Sequence, residues 1–146
     1  RLNSQRNNMQ YKNQALELLQ EHEGFRQFPY LDSLGIQTIG YGRNLESRGI
    51  SEPEASYLLS NDIAEAEEML HSYPYYWNLS GERKAVLIDM MVNMGPTRLA
   101  GFKKMHAALE ARNYELAALE MMDSKWSTQV GQRALTLSGV MHDNKI

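Results

Sequence analysis

The chain has 146 residues, 42% of them hydrophobic and 23% charged, a length and composition that fit one globular domain. It has no cysteine, which excludes a disulfide framework and any thiolate metal site. Net charge is −3 and uneven: residues 1–73 carry 6 Lys/Arg against 11 Asp/Glu, and residues 74–146 carry 9 against 7, so the acidic first half argues against nucleic acid as the main partner.

Residues 1–10 are polar and aperiodic and read as a flexible end, with Arg1–Asn8 a processed terminus, a tag remnant or the tail of an upstream segment and Met9 a candidate start. No apolar run approaches the ~18 residues of a membrane span, and the N-terminus lacks the apolar core of a signal peptide. Residues 11–23 predict a short amphipathic helix with Ala15, Leu16, Leu18 and Leu19 as its buried stripe, ending at Glu23 before Gly24. A carboxyl at a helix C-terminus meets the negative end of the dipole, which favours its protonated form.

Residues 25–45 read as a small antiparallel sheet. Pro29, between Phe28 and Tyr30, confines the first strand to an edge, and Gly35 marks the hairpin turn after Asp32. Gly40 and Gly42, in the run that Thr38 opens, mark a bend or close backbone approach. Residues 51–72 give the longest helical pattern, with a Ser51/Glu54 capping box and an apolar face of Leu58, Leu59, Ile63, Ala66, Met69 and Leu70. Ser80 is an N-cap candidate for a helix over 80–95 that is apolar nearly all round and stops at Gly95-Pro96. Two further helices, 102–112 and 114–124, divide at Asn113, with Leu119 among the packed residues and Lys103, Lys104 and His106 on the surface. Val130 and Ala134 flank Gly-Gln-Arg in an extended reading, and 142–146 is a polar tail. The four His are scattered and unpaired, so no metal-ligand spacing is present.

The constellation with chemical content is Glu23, Asp32 and Thr38. At this spacing a helix-end carboxyl can face a hairpin that carries a second carboxyl and a hydroxyl. Two carboxyls in different environments are what acid/base hydrolysis of a glycosidic bond requires. The string Glu23-Gly24, Tyr30, Asp32, Gly35, Thr38-Ile39-Gly40-Tyr41-Gly42 resembles the phage lysozymes (endolysins) of the T-even type, glycoside hydrolase family 24, and the resemblance runs through about residues 13–141.

That resemblance implies a mostly helical α+β, lysozyme-like fold in a single domain. An N-terminal lobe (11–50) with a short antiparallel sheet would be joined by a long helix (51–72) to a helical C-terminal lobe (73–146). It implies inverting hydrolysis of the β-1,4 bond between N-acetylmuramic acid and N-acetylglucosamine in peptidoglycan. Glu23 would be the general acid, Asp32 the carboxylate acting on water, and Thr38 the hydroxyl holding that water. Tyr30 and Gly42 would support substrate. Asn93 would either bond a glycan or tie down backbone. Trp126 would pack in the C-terminal core, and Arg133 would reach Glu23. Arg43 stands where the family often has His, and is expected to pair with Asp62. The resemblance implies no cofactor and no metal. It also implies a monomer, neither nucleic acid nor membrane insertion, and host-cell lysis from the bacterial cytoplasm after release to the periplasm. Rival readings are a lytic transglycosylase, a non-catalytic peptidoglycan-binding domain, and the lysozyme domain of a larger phage tail protein.

Overall fold

The structure is a computed structural model that describes all residues, Arg1–Ile146. The chain divides into two compact units, Arg1–Ala55 and Ser56–Ile146.

The first unit opens with α1, Leu2–Glu23. The flexible end expected over residues 1–10 is instead helical. No Gly or Pro interrupts the chain before Gly24, so nothing stops the helix from extending back to Leu2. The expected buried stripe is also corrected: α1 buries no residue, and Leu16, Leu18 and Leu19 are exposed. Gly24 ends the helix at φ 69°, its N–H donating to the Gln20 carbonyl.

A three-stranded antiparallel sheet follows, β1 (Arg26–Leu31), β2 (Gln37–Gly40) and β3 (Arg43–Asn44), with β2 in the middle. The Pro29 strand lies on an edge, and the β1–β2 register slips between Arg26 and Tyr30, the stretch that holds this proline. Tyr30 pairs with Thr38, Ile39 with Arg43, and Thr38 with Asn44. Gly35 takes φ 77° in the turn.

Helix α2, Glu52–Leu70, begins in the first unit and continues into the second. Its start is the expected capping box: the Glu54 N–H donates to Ser51 Oγ at 3.3 Å, and the Ser51 N–H donates to Glu54 Oε2 at 2.9 Å. Of its apolar face, Ala66 and Leu70 are buried and Met69 packs on the core. Leu58, Leu59 and Ile63 are exposed, because only the last turns of the helix meet the core of the second unit.

That core is built on α3, Gly81–Ala100. Ser80 caps it by accepting the Arg83 N–H, and Val86, Leu87, Met90, Met91 and Met94 are buried. Gly95, at φ 82°, breaks the helix where the sequence reads a stop, and the chain resumes helical turns from Pro96. Helices α4 (Lys103–Glu110), α5 (Tyr114–Met122), α6 (Lys125–Val130) and α7 (Gln132–Asp143) complete the unit. Asn113 caps α5 by accepting the Leu116 N–H at 3.1 Å. Leu119, expected to pack, is exposed, whereas Ala117, Ala118 and Met121 on α5 are buried.

The extended reading around Val130 and Ala134 is overturned. Gly131 separates two helices, and Ala134, Leu137, Val140 and Met141 repeat at the helical period on a buried face. Arg83 ties the end of α7 to α3. Its Nε donates to the Met141 carbonyl at 2.8 Å and its Nη2 to the His142 carbonyl at 3.2 Å, while the guanidinium lies 3.8 Å from the Tyr114 ring centre. Carbonyls that α7 cannot satisfy internally thus receive charged donors.

Candidate functional site

Glu23 is the last residue of α1 and is exposed. Its carboxyl lies against Gly42: a methyl built on that glycine would fall 2.6 Å from Glu23 Oε2 and 2.9 Å from its carboxyl carbon. Gly42 has φ 73°, so both its backbone conformation and the contact call for glycine. The sequence reading leaves a bend or a close backbone approach open at Gly42; the group that lies against this glycine is the side chain of the candidate acid.

Asp32 and Thr38 are joined through Ile36. Asp32 Oδ1 accepts the N–H groups of Leu34 at 2.8 Å and Ile36 at 2.9 Å. The Asp32 N–H donates to the Ile36 carbonyl at 2.9 Å, and Thr38 Oγ1 donates to that same carbonyl at 2.9 Å. Because the hydroxyl proton is committed to Ile36, the Thr38 oxygen faces any further partner as an acceptor. Thr38 is the one buried residue of the first unit, and Asp32 is half-buried. Both protein bonds to the Asp32 carboxylate go to Oδ1, which leaves Oδ2 for solvent or substrate. Ile36 carries no side-chain signal for this role, since the bridge is made wholly by its backbone.

Tyr30 stands across the sheet from Thr38, with the Arg26 guanidinium 4.5 Å from its ring centre. Arg43, next to Gly42, has a different partner from the one expected. Its Nη1 and Nη2 donate to Glu54 Oε2 and Oε1 at 2.7 and 2.6 Å, and Nη1 also reaches the Gly49 carbonyl at 3.2 Å. The expected Asp62 is replaced by Glu54, which the capping box already brings to the start of α2. The bond from Arg43, together with the Ser51 N–H, holds the Glu54 carboxyl at about 2, and the guanidinium pKa is raised in turn.

The remaining candidates lie in the second unit. Asn93 Oδ1 accepts the Trp126 indole N–H at 2.7 Å. Its amide thus satisfies the one polar atom of a side chain that is otherwise core, as Trp126 is 2% exposed. Arg133 pairs with Asp89 on α3, Nε at 2.8 Å and Nη2 at 2.7 Å.

His106 was expected at the surface and is instead half-buried. Its Nδ1 faces the Tyr75 hydroxyl at 2.6 Å, its Nε2 faces the Leu99 carbonyl at 2.8 Å, and its ring stacks on Tyr73 at 4.4 Å. The cause is the 3-10 segment Pro74–Asn78, which packs on α4 and, with its N-cap residue Tyr73, brings Tyr73 and Tyr75 over the imidazole. Burial lowers the His106 pKa, against smaller opposing effects of the Leu99 carbonyl and Glu110.

A helix-end acid on a glycine, a short antiparallel hairpin sheet and a long helix leading to a helical unit define a lysozyme-like α+β protein. The chain belongs to the phage lysozyme family, whose model matches residues 20–142. It is 29% identical over 105 residues to probable T4-type lysozyme 1 of Dictyostelium discoideum, covering 67% of this chain and 62% of that protein. It is 30% identical over 103 residues to probable T4-type lysozyme 2 of the same organism, covering 66% and 61%. The matched region is thus less than two thirds of either relative's length.

Proposed function

We propose that this chain is a peptidoglycan hydrolase, a muramidase cleaving the β-1,4 bond between N-acetylmuramic acid and N-acetylglucosamine. The observation that carries the reading is the pairing of a solvent-facing Glu23 carboxyl, backed by Gly42, with the Asp32–Ile36–Thr38 network on the adjacent hairpin.

In the proposed reaction Glu23 donates its proton to the glycosidic oxygen as the bond to the anomeric carbon breaks. Asp32 accepts a proton from the attacking water through the oxygen left free by the turn. Thr38 accepts a hydrogen bond from that water and aims its lone pair at the anomeric carbon. Water oxygen replaces the leaving oxygen on the opposite face, so configuration inverts. Glu23 then regains a proton from solvent, and Asp32 returns one. Tyr30 and Gly42 support the sugar side of the site.

On this reading the protein acts as a monomer on the bacterial wall, reaching it from the host cytoplasm after release to the periplasm, and its action lyses the cell. No helix is long and apolar enough to cross a membrane. The test is digestion of purified peptidoglycan with mass and anomeric NMR analysis of the fragments. Hydrated reducing ends that appear first as the α anomer support the proposal. Anhydro ends, one water lighter, would move the chain to the lytic transglycosylases. Binding without released fragments would make it a recognition module.

A further inference from the structure

The strand that carries Gly42 into place is short. β3 has only two residues, Arg43 and Asn44, and joins β2 through the pairs Ile39–Arg43 and Thr38–Asn44. A two-residue edge strand has few ladder bonds to resist sliding. Beside the Leu45 N–H bond to the Gln37 carbonyl at 2.9 Å, the Arg43 side chain ties it to the segment that follows: a two-pronged guanidinium–carboxylate pair with Glu54, and a third bond to the Gly49 carbonyl. Glu54 is itself held by the Ser51 N–H in the capping box. The rigid first turn of α2 therefore anchors Arg43, and the residue before Arg43 is the glycine on which the Glu23 carboxyl rests.

We propose that Arg43 is a positioning residue for Glu23: its clamp on Glu54 sets the place of the Gly42 backbone, and that backbone sets the place of the carboxyl. The proposal rests on the reading of Glu23 as the acid. It makes Arg43 and Glu54 part of the catalytic apparatus without contact to substrate. The two-pronged geometry matters as much as the charge. A guanidinium holds both carboxylate oxygens in one plane, whereas an ammonium is a point charge on a flexible stem. Lysine at 43 would keep the charge and lose the alignment.

The clamp also explains a feature of the hairpin. Thr38 pairs with Tyr30 on one side and with Asn44 on the other, so the residue after Arg43 is the backbone partner of Thr38. Loss of the clamp would disturb both halves of the proposed machinery in the same direction, by loosening geometry rather than by removing a reacting group.

The experiment compares wild type with Arg43→Lys, Arg43→Gln, Glu54→Gln and the exchanged pair Arg43→Glu/Glu54→Arg. Each is first checked for folding by circular dichroism. Two quantities are then read: kcat and KM on soluble peptidoglycan fragments, and the chemical shift of the Glu23 carboxyl carbon in 13C-labelled protein.

A displaced acid predicts that folded Arg43→Lys and Arg43→Gln lose roughly tenfold or more in kcat with little change in KM, since small misplacements of a reacting group are costly. The Glu23 carboxyl resonance moves in both, and the exchanged pair regains part of both losses. Arg43→Lys keeps the charge, so it remains readable if Arg43→Gln does not fold. Folded variants with wild-type kcat and an unmoved Glu23 resonance would overturn the proposal, as would a change in thermal stability alone. If wild type proves inactive, the hydrolase reading falls; the resonance then decides the positioning claim by itself.

Discussion

The Glu23 carboxyl occupies the space in which a side chain at position 42 would begin. A Cβ on Gly42 would sit 2.6 Å from Glu23 Oε2, well inside contact distance, and the three heavy atoms nearest to it would all belong to Glu23. The atom in the way is the far end of a flexible side chain, so an alanine there would push the carboxyl aside rather than wreck the fold. Gly42→Ala should therefore separate activity from stability. Placing a Cβ at φ 73° costs about 1–2 kcal/mol, read as a lower urea midpoint. Displacement of the acid should cost about a hundredfold in kcat. A variant that is less stable but fully active would show that Glu23 is not held by Gly42 during turnover.

On the proposed mechanism Asp32 has two duties, holding the turn and activating water, that substitution can divide. Asp32→Asn keeps an oxygen for the Leu34 and Ile36 N–H groups, so the turn should survive with less than about 1 kcal/mol lost while hydrolysis fails. Asp32→Ala removes that acceptor and should cost about 1–3 kcal/mol besides. Thr38→Val keeps the bulk and removes the bond to the Ile36 carbonyl, for about 1 kcal/mol and most of the activity. Urea titrations beside fragment-release assays check all three.

His106 makes the second unit sensitive to acid. Its pKa is lowered in the folded protein, so the unfolded chain binds the proton more tightly. The neutral ring's contribution is complete above the unfolded value of about 6.5 and is lost as pH falls below it, towards the lower folded value. The geometry agrees. Nε2 can donate to Leu99 while Nδ1 accepts from Tyr75, and a second ring proton would meet the tyrosine hydroxyl. The urea midpoint should fall between pH 7 and 5 in wild type and fall less in His106→Gln. Parallel curves would contradict this.

Arg112 offers a stabilising change. It sits at φ 54° just past α4, its N–H bonded to the Leu109 carbonyl at 3.1 Å and that of Asn113 to Ala108 at 2.9 Å. This is the two-bond helix ending that glycine favours. Arg112→Gly should raise stability by about 0.5–1 kcal/mol after glycine's own entropic cost, seen as a higher melting temperature at unchanged activity.

The features legible in the sequence are those set by neighbours along the chain. The end of α1 at Gly24, the edge strand with Pro29, the turn at Gly35, the caps at Ser51, Ser80 and Asn113, and the break at Gly95-Pro96 all follow from local backbone chemistry. The hidden features depend on packing at a distance. Arg43 could not be assigned to Glu54 rather than Asp62 because both lie on α2, and only the fold chooses the turn. His106 looked like surface because the tyrosines covering it come from residues 73–75. The leucines of α1 and the upper part of α2 looked like core because periodicity reports a face, not whether anything covers it. The extended reading of Val130 and Ala134 gives way to the buried helical face of Ala134, Leu137 and Met141, a tertiary effect that local pattern does not carry.

For the chemistry itself, the most direct measurement is the rate of reducing-end release from purified peptidoglycan by wild type and by Glu23→Gln. The substitution keeps the size of the side chain and its place against Gly42 but removes the transferable proton. Release by wild type, with at least a thousandfold loss (on the order of the general-acid contribution and more) in a folded Glu23→Gln protein, is the predicted result. Comparable release by both proteins would contradict the assignment of Glu23, and with it the account of why Gly42 and Arg43 stand where they do.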